Sequence, residues 1–242
     1  MAGGLRHTIA AVIILIILAT VSQHAARNRL PDDSDGDEII YDPDAPTYIL
    51  RTGALNSAQV PFSNHSDSRP LGSYLQQTLD FAPFRDLFDR LNTSNGALQT
   101  RGEAHVTVIS PPEFDKVLKP AGVTIKEIED IARQADIQRA RLAPVCLGRF
   151  SGPLPDPTTA ADNGTFTLFS LVVADPFNDL LRIRRQVSRL YREKGGQGAL
   201  FQPERFWPHV TIGFDRRDLF VEDGIFKGAN YCYAPVHIGP SE

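Results

Sequence analysis

The chain has 242 residues, of which 42% are hydrophobic and 22% charged, enough for one sizeable core and ordinary for a globular protein. Its formal net charge is −4, and residues 1–45 carry three arginines against seven carboxylates, so the remainder is neutral. A neutral body lacks the strong field that steers long nucleic acids, although it leaves room for a small nucleotide or an RNA end.

Residues 1–26 stand apart from the fold. Arg6 and His7 precede the apolar run Ile9–Val21, and small residues follow. The run is shorter than the roughly 20 residues that span a bilayer, so it reads as a signal peptide or, if extended by its neighbours, an uncleaved signal anchor. Residues 27–45 are acidic and contain Pro31, Gly36 and Pro43, the composition of a disordered linker. A single domain is expected over residues 46–242.

Thr47–Thr52 has strand character, and residues 53–70 are rich in loop formers. Pro83–Leu91 places Phe84, Leu87, Phe88 and Leu91 at helical spacing. Ala104–Ile109 predicts a short strand stopped by Ser110-Pro111-Pro112. Thr124 with Glu127 forms a capping box for a helix reaching about Gln134. Pro144–Phe150 and Phe166–Val173 predict strands, with Ser151–Gly164 as a loop between them. Asp175-Pro176 predicts the start of a helix over Phe177–Lys194, ended by Gly195-Gly196. Its arginines 182, 185, 189 and 192 form either a solvated face or a track for a phosphate backbone. His209–Phe214 and a segment near Tyr231–Ile238 complete the strands. No period recurs, which excludes tandem repeats.

Two short strings repeat within this order: Ala104-His105-Val106-Thr107-Val108-Ile109 and Pro208-His209-Val210-Thr211-Ile212-Gly213. In a strand, residues i and i+2 point to one face, so each His shares a face with its Thr, and the aliphatic residues face the other way. The two groups lie about 7 Å apart along the strand. Opening a phosphodiester with water needs one proton taken from water and one given to the departing ribose oxygen. An imidazole pair suits both transfers near neutrality, and Thr hydroxyls can hold non-bridging oxygens. Alone, one His-x-Thr is more often a half-buried strand. Here two of six histidines carry the same string, while His7, His24 and His65 fall in the leader or in loops and His237 reads as a surface residue. His105 and His209 are therefore the candidate catalytic pair, and Thr107 and Thr211 the candidate phosphate ligands. Which His is base and which is acid stays open. Alternation puts Glu103 on the His105 face but some distance away. Arg205-Phe206-Trp207 abuts the second string, its aromatics serving either the core or a stacked base.

The paired His-x-Thr strings with aliphatic flanks resemble the two-histidine (2H) phosphoesterase superfamily. The stretches Glu103–Ile109 and Phe206–Phe214 are similar to its fungal Swiss Army Knife RNA repair-like branch. The resemblance implies a bilobal α+β fold with two antiparallel sheets facing a central cleft and helices outside. It also implies hydrolysis of 2′,3′-cyclic or 2′-5′ phosphodiesters of nucleotides or RNA ends. A binding module for phosphorylated ligands or RNA ends, or a 2′-5′ RNA ligase, would use the same residues. No metal and no other cofactor is expected, the expected partner is a nucleotide or RNA-end substrate, and the protein is expected to be a monomer.

Location is read from separate features. Asn64-His65-Ser66, Asn92-Thr93-Ser94 and Asn163-Gly164-Thr165 match the N-glycosylation acceptor, each in a stretch with loop character. The only two cysteines, Cys146 and Cys232, fit either a disulfide or two buried free thiols. With the leader, these features point to the secretory pathway. The product is then secreted, or anchored with its domain on the lumenal or extracellular side; a membrane is involved only if the leader is retained.

Overall fold

The computed structural model describes residues 39–155, 157 and 162–240. The leader and most of the acidic linker lie outside these residues. The described chain forms one unit beginning at Ile39, and Asp42 N already donates to the Tyr233 carbonyl at 3.0 Å. Among the described residues, no helix is long and apolar enough to cross a membrane.

Among the described residues, eight strands and three α-helices make a mixed fold with predominantly antiparallel pairing. In order they are β1 (Tyr48–Arg51), β2 (Leu75–Leu79), α1 (Ala82–Asn95), β3 (Ala104–Ile109), α2 (Ile125–Gln134), β4 (Ala143–Pro153), β5 (Thr165–Ala174), α3 (Asp179–Glu193), β6 (His209–Phe214), β7 (Cys232–Ala234) and β8 (Val236–Gly239). A four-stranded antiparallel sheet has the order β6-β5-β4-β7, and β2 and β3 form a separate antiparallel pair. The expectation of two antiparallel sheets needs one correction, because β1 and β8 form a third, parallel pair. A parallel partner requires a long connection, and these strands have the whole domain between them.

The two motif strands begin where the sequence predicts. In β3, Ala104, Val106 and Val108 are buried while His105 and Thr107 are only partly buried; β6 repeats the pattern with Val210 and Ile212 inward. These aliphatic faces join one large core with Leu87 and Leu91 of α1, Ile128 of α2 and Ile183 and Val187 of α3. Burying each such side chain contributes roughly 1.5–3 kcal/mol before chain entropy is set against it.

Two local expectations change, and one strand carries no sequence signal. Ser151–Gly164 is not all loop, because Ser151, Gly152 and Pro153 pair with Thr167, Phe166 and Thr165. Polar and small residues continue the ladder there, since backbone pairing with β5 does not depend on an apolar pattern. The helix expected from Phe177 begins at Asp179. Asn178 takes a left-handed conformation (φ 55°), which Asn tolerates better than most residues, and the Asp175 carboxylate accepts from the Asp179 and Leu181 amides instead. Finally, β2 (Leu-Gln-Gln-Thr-Leu) escapes the period-2 pattern because both faces are buried, Gln76 and Gln77 included. Gln77 Nε2 donates to Ser57 Oγ and to the Ala140 carbonyl.

Cys146 of β4 and Cys232 of β7 are joined by a disulfide with a Cα–Cα distance of 5.6 Å. A second tie is made by Arg184 of α3, whose side chain is 2% exposed. Its guanidinium donates to the Val108 carbonyl of β3 (2.6 Å), to both Glu113 oxygens, and to the carbonyls of Pro203 and Arg205 just before β6. One buried cation thus holds the end of one motif strand and the approach to the other.

Candidate active site

β3 and β6 approach each other without sharing a ladder. Register places Thr78 opposite His105 and Gln76 opposite Thr107, so β2 lends these polar neighbours to the same face. Across β5, Ser170 lies opposite Thr211 and Val172 opposite His209. The two imidazoles are near enough for His105 to disfavour protonation of His209.

Their surroundings differ. His209 Nδ1 lies 2.7 Å from the Trp207 carbonyl oxygen. A carbonyl can only accept, so Nδ1 carries the proton and Nε2 the lone pair. The residue as a whole is half-buried, yet protein encloses enough of the ring to dominate its titration. Burial first, then the Lys227 ammonium, push the pKa down to about 3, against the opposing influence of the Trp207 hydrogen bond and Asp218. His209 is therefore a neutral imidazole across the physiological range.

His105 has a carboxylate instead. Its Nδ1 is 3.3 Å from Glu103 Oε1, close but without the alignment of a hydrogen bond. The nearness of His105 holds the Glu103 carboxyl below its usual range, with burial opposing. This corrects the expectation that Glu103 stands away from the ring. Strand alternation does not reach it, because β3 starts at Ala104 and Gly102, at φ +71°, turns the chain just before it.

Other groups gather here that the motif does not announce. His65, placed by sequence in a loop, stacks on Tyr74 at 4.3 Å, and Tyr74 lies 6.5 Å from His105. Burial lowers the His65 pKa, Glu103 opposing and His105 reinforcing. Trp207 packs on Phe226 at 4.6 Å, so its ring is engaged with an aromatic neighbour. Behind Thr211 lies a buried ionic cluster. Lys227 Nζ donates to Asp218 Oδ1 at 2.7 Å and to Thr211 Oγ1 at 3.1 Å, and Arg101 pairs with Asp218 Oδ2 at 2.6 Å. Only a carboxylate and two cations in unrelated loops signal this, and their meeting is a product of tertiary folding. Among the described residues, no group of three or more His, Cys, Asp or Glu is arranged to hold a metal ion.

The remaining candidates lie elsewhere. Arg182 pairs with Asp179 and Arg185 with Glu204, and Arg182, Arg185, Arg189 and Arg192 are exposed, as for a solvated helix face. Asn64 is exposed and accepts from Arg133. Asn163 is exposed beside β5. Asn92 sits in the last turn of α1, not in a loop, and its Oδ1 accepts from Leu98 N at 2.9 Å. His237 is exposed on β8.

Comparison with curated proteins and with solved structures finds no match. Residues 73–220, which contain both His-x-Thr strands, match the family described as Swiss Army Knife, 2H phosphoesterase domain. With most of the chain covered, both motifs in strands and their histidines within electrostatic reach, the protein belongs to the Swiss Army Knife 2H phosphoesterases.

Proposed function

We propose that the domain is a metal-independent phosphodiesterase that hydrolyses 2′,3′-cyclic or 2′-5′ phosphodiesters of nucleotides or RNA ends. The observation that carries this reading is the unequal backing of the two imidazoles. His209, neutral and with its Nδ1 proton committed to Trp207, suits the general base. His105, backed by the ionised Glu103, suits the general acid. The cleft of a bilobal 2H domain would lie along the His105–Thr107 and His209–Thr211 faces.

In this reading, His209 Nε2 takes a proton from water as the water oxygen bonds to phosphorus. The bond from phosphorus to the ribose oxygen breaks, and His105 Nε2 gives its proton to that oxygen. An imidazole of pKa about 3 is a feeble base in the free protein. The bound phosphodiester anion would raise it toward the operating pH. Thr107 and Thr211 would hold the non-bridging oxygens as charge builds.

The leader, the three acceptor asparagines and the disulfide support a place in the secretory pathway. The test is a panel of 2′,3′-cyclic nucleotides, cyclic-phosphate RNA ends and 2′-5′ oligoadenylate, given to wild type, His105→Ala and His209→Ala. Each variant should lose about 10²–10⁴ in turnover. Full activity in both variants refutes the mechanism; binding of all substrates with no cleavage turns the reading to a binding module. Joined product on adding a 5′-hydroxyl acceptor turns it to a ligase.

A further inference from the structure

Lys227 is 3% exposed and lies outside the residues that match the family. Burying an ammonium is costly unless it is paired and hydrogen-bonded, and Lys227 spends two contacts in one direction. One goes to Asp218 Oδ1 at 2.7 Å, the other to Thr211 Oγ1 at 3.1 Å. An ammonium only donates, so it takes a lone pair of the Thr211 hydroxyl and drives the hydroxyl proton toward another acceptor. The resident acceptor is Asp218 Oδ2, a long 3.3 Å away and already held by Arg101 at 2.6 Å. Asp218 Oδ1 is likewise committed, to Lys227 and to Leu219 N at 2.7 Å. The Thr211 proton thus has a weak partner inside the protein and would gain by moving to an anionic oxygen. Arg101 and Lys227 share the Asp218 carboxylate, Asp223 acts on Lys227 from further off, and the Phe220 ring lies 5.5 Å from both cations.

We propose that Lys227, fixed by Asp218 and Arg101, is a positioning residue that aims the Thr211 hydroxyl at a phosphate oxygen. This rests on the phosphodiesterase reading but concerns phosphate binding, which is measurable without turnover. The charged and titratable groups that act on His209 are Lys227, Asp218 and His105. Burial is the largest cause of the low His209 pKa, Lys227 the next, and Asp218 opposes both.

The experiment is a titration of the intact protein with inorganic phosphate, together with NMR titration of the His209 ring, in wild type, Lys227→Met, Asp218→Asn, Arg101→Gln and Thr211→Val. Loss of one charge-assisted contact should weaken phosphate binding about tenfold in Lys227→Met. Thr211→Val should weaken it similarly, and the double variant should lose little more than either alone. The His209 ring should titrate higher in Lys227→Met and lower in Asp218→Asn, opposite movements that a merely structural role would not produce. Arg101 is 29% exposed on its side chain, so Arg101→Gln reads the same cluster at little risk to folding; it frees Asp218 Oδ2 to hold the Thr211 proton and should also weaken phosphate. Unchanged phosphate affinity in Lys227→Met or Arg101→Gln, additive losses in the double variant, ring shifts of one sign, or no phosphate binding by wild type would each overturn the proposal. Absence of turnover on every panel substrate with these effects intact would overturn only the enzyme reading.

Discussion

Replacing Arg184 by Met tests how the two motif strands are held. The guanidinium is almost fully buried and makes six contacts, to Glu113 Oε1 and Oε2 at 2.8 and 3.2 Å and to the carbonyls of Val108, Gln202, Pro203 and Arg205 at 2.6–3.3 Å. Met preserves much of the volume but supplies no donor. Breaking a buried pair costs about 3–5 kcal/mol, because the remaining partners stay desolvated, and each orphaned carbonyl adds to that pressure. Glu113 moderates the loss, since its side chain is 28% exposed and it also accepts from Ser110 N. The expected result is therefore a loss of about 3–4 kcal/mol. In urea unfolding with a slope of about 2 kcal/mol per molar, the midpoint should fall by roughly 1.5–2 M. A midpoint within about 0.5 M of wild type would refute the view that Arg184 anchors the approach to β6 against the end of β3.

Other consequences are open to measurement. Replacing Cys146 and Cys232 together by Ala opens a loop with a sequence separation of 86 and should cost about 4–5 kcal/mol by chain entropy; unchanged thermal stability would contradict this. The His209 pKa is depressed from 6.5 to about 3 on folding, so the unfolded chain binds more protons in that window and stability should fall as pH drops from about 6.5 to about 3. His209→Gln should flatten this loss, and a difference between the two proteins that is constant across the window would exclude the linkage. Glu103→Gln removes the carboxylate beside His105 and should lower kcat more than it raises KM; a change in KM alone would assign Glu103 to substrate binding. Expressed through a secretory pathway, the protein should carry glycans at the exposed Asn163 and Asn64, read as a mass loss on deglycosylation that Asn→Gln variants abolish.

The local periods in this chain were strong enough to define β3, β6, the α2 capping box and the inward faces of the helices. Those features depend on residues within a few positions of one another, and a strand's two-residue repeat is sufficient to put His105 with Thr107 and His209 with Thr211. Folding decided which groups surround them. Glu103 reaches His105 because the chain turns at Gly102. Trp207 selects the His209 tautomer through its backbone oxygen, which any residue would carry. Nothing in the sequence separates Arg184 from the other arginines of its helix, and only the fold puts it on the buried face. Arg101, Asp218 and Lys227 come from three separate segments, and no spacing rule links them; the low dielectric of the interior makes them partners. The paired strings were thus legible from sequence as a phosphoesterase motif, while the different surroundings of their two histidines depend on contacts made over long stretches of chain.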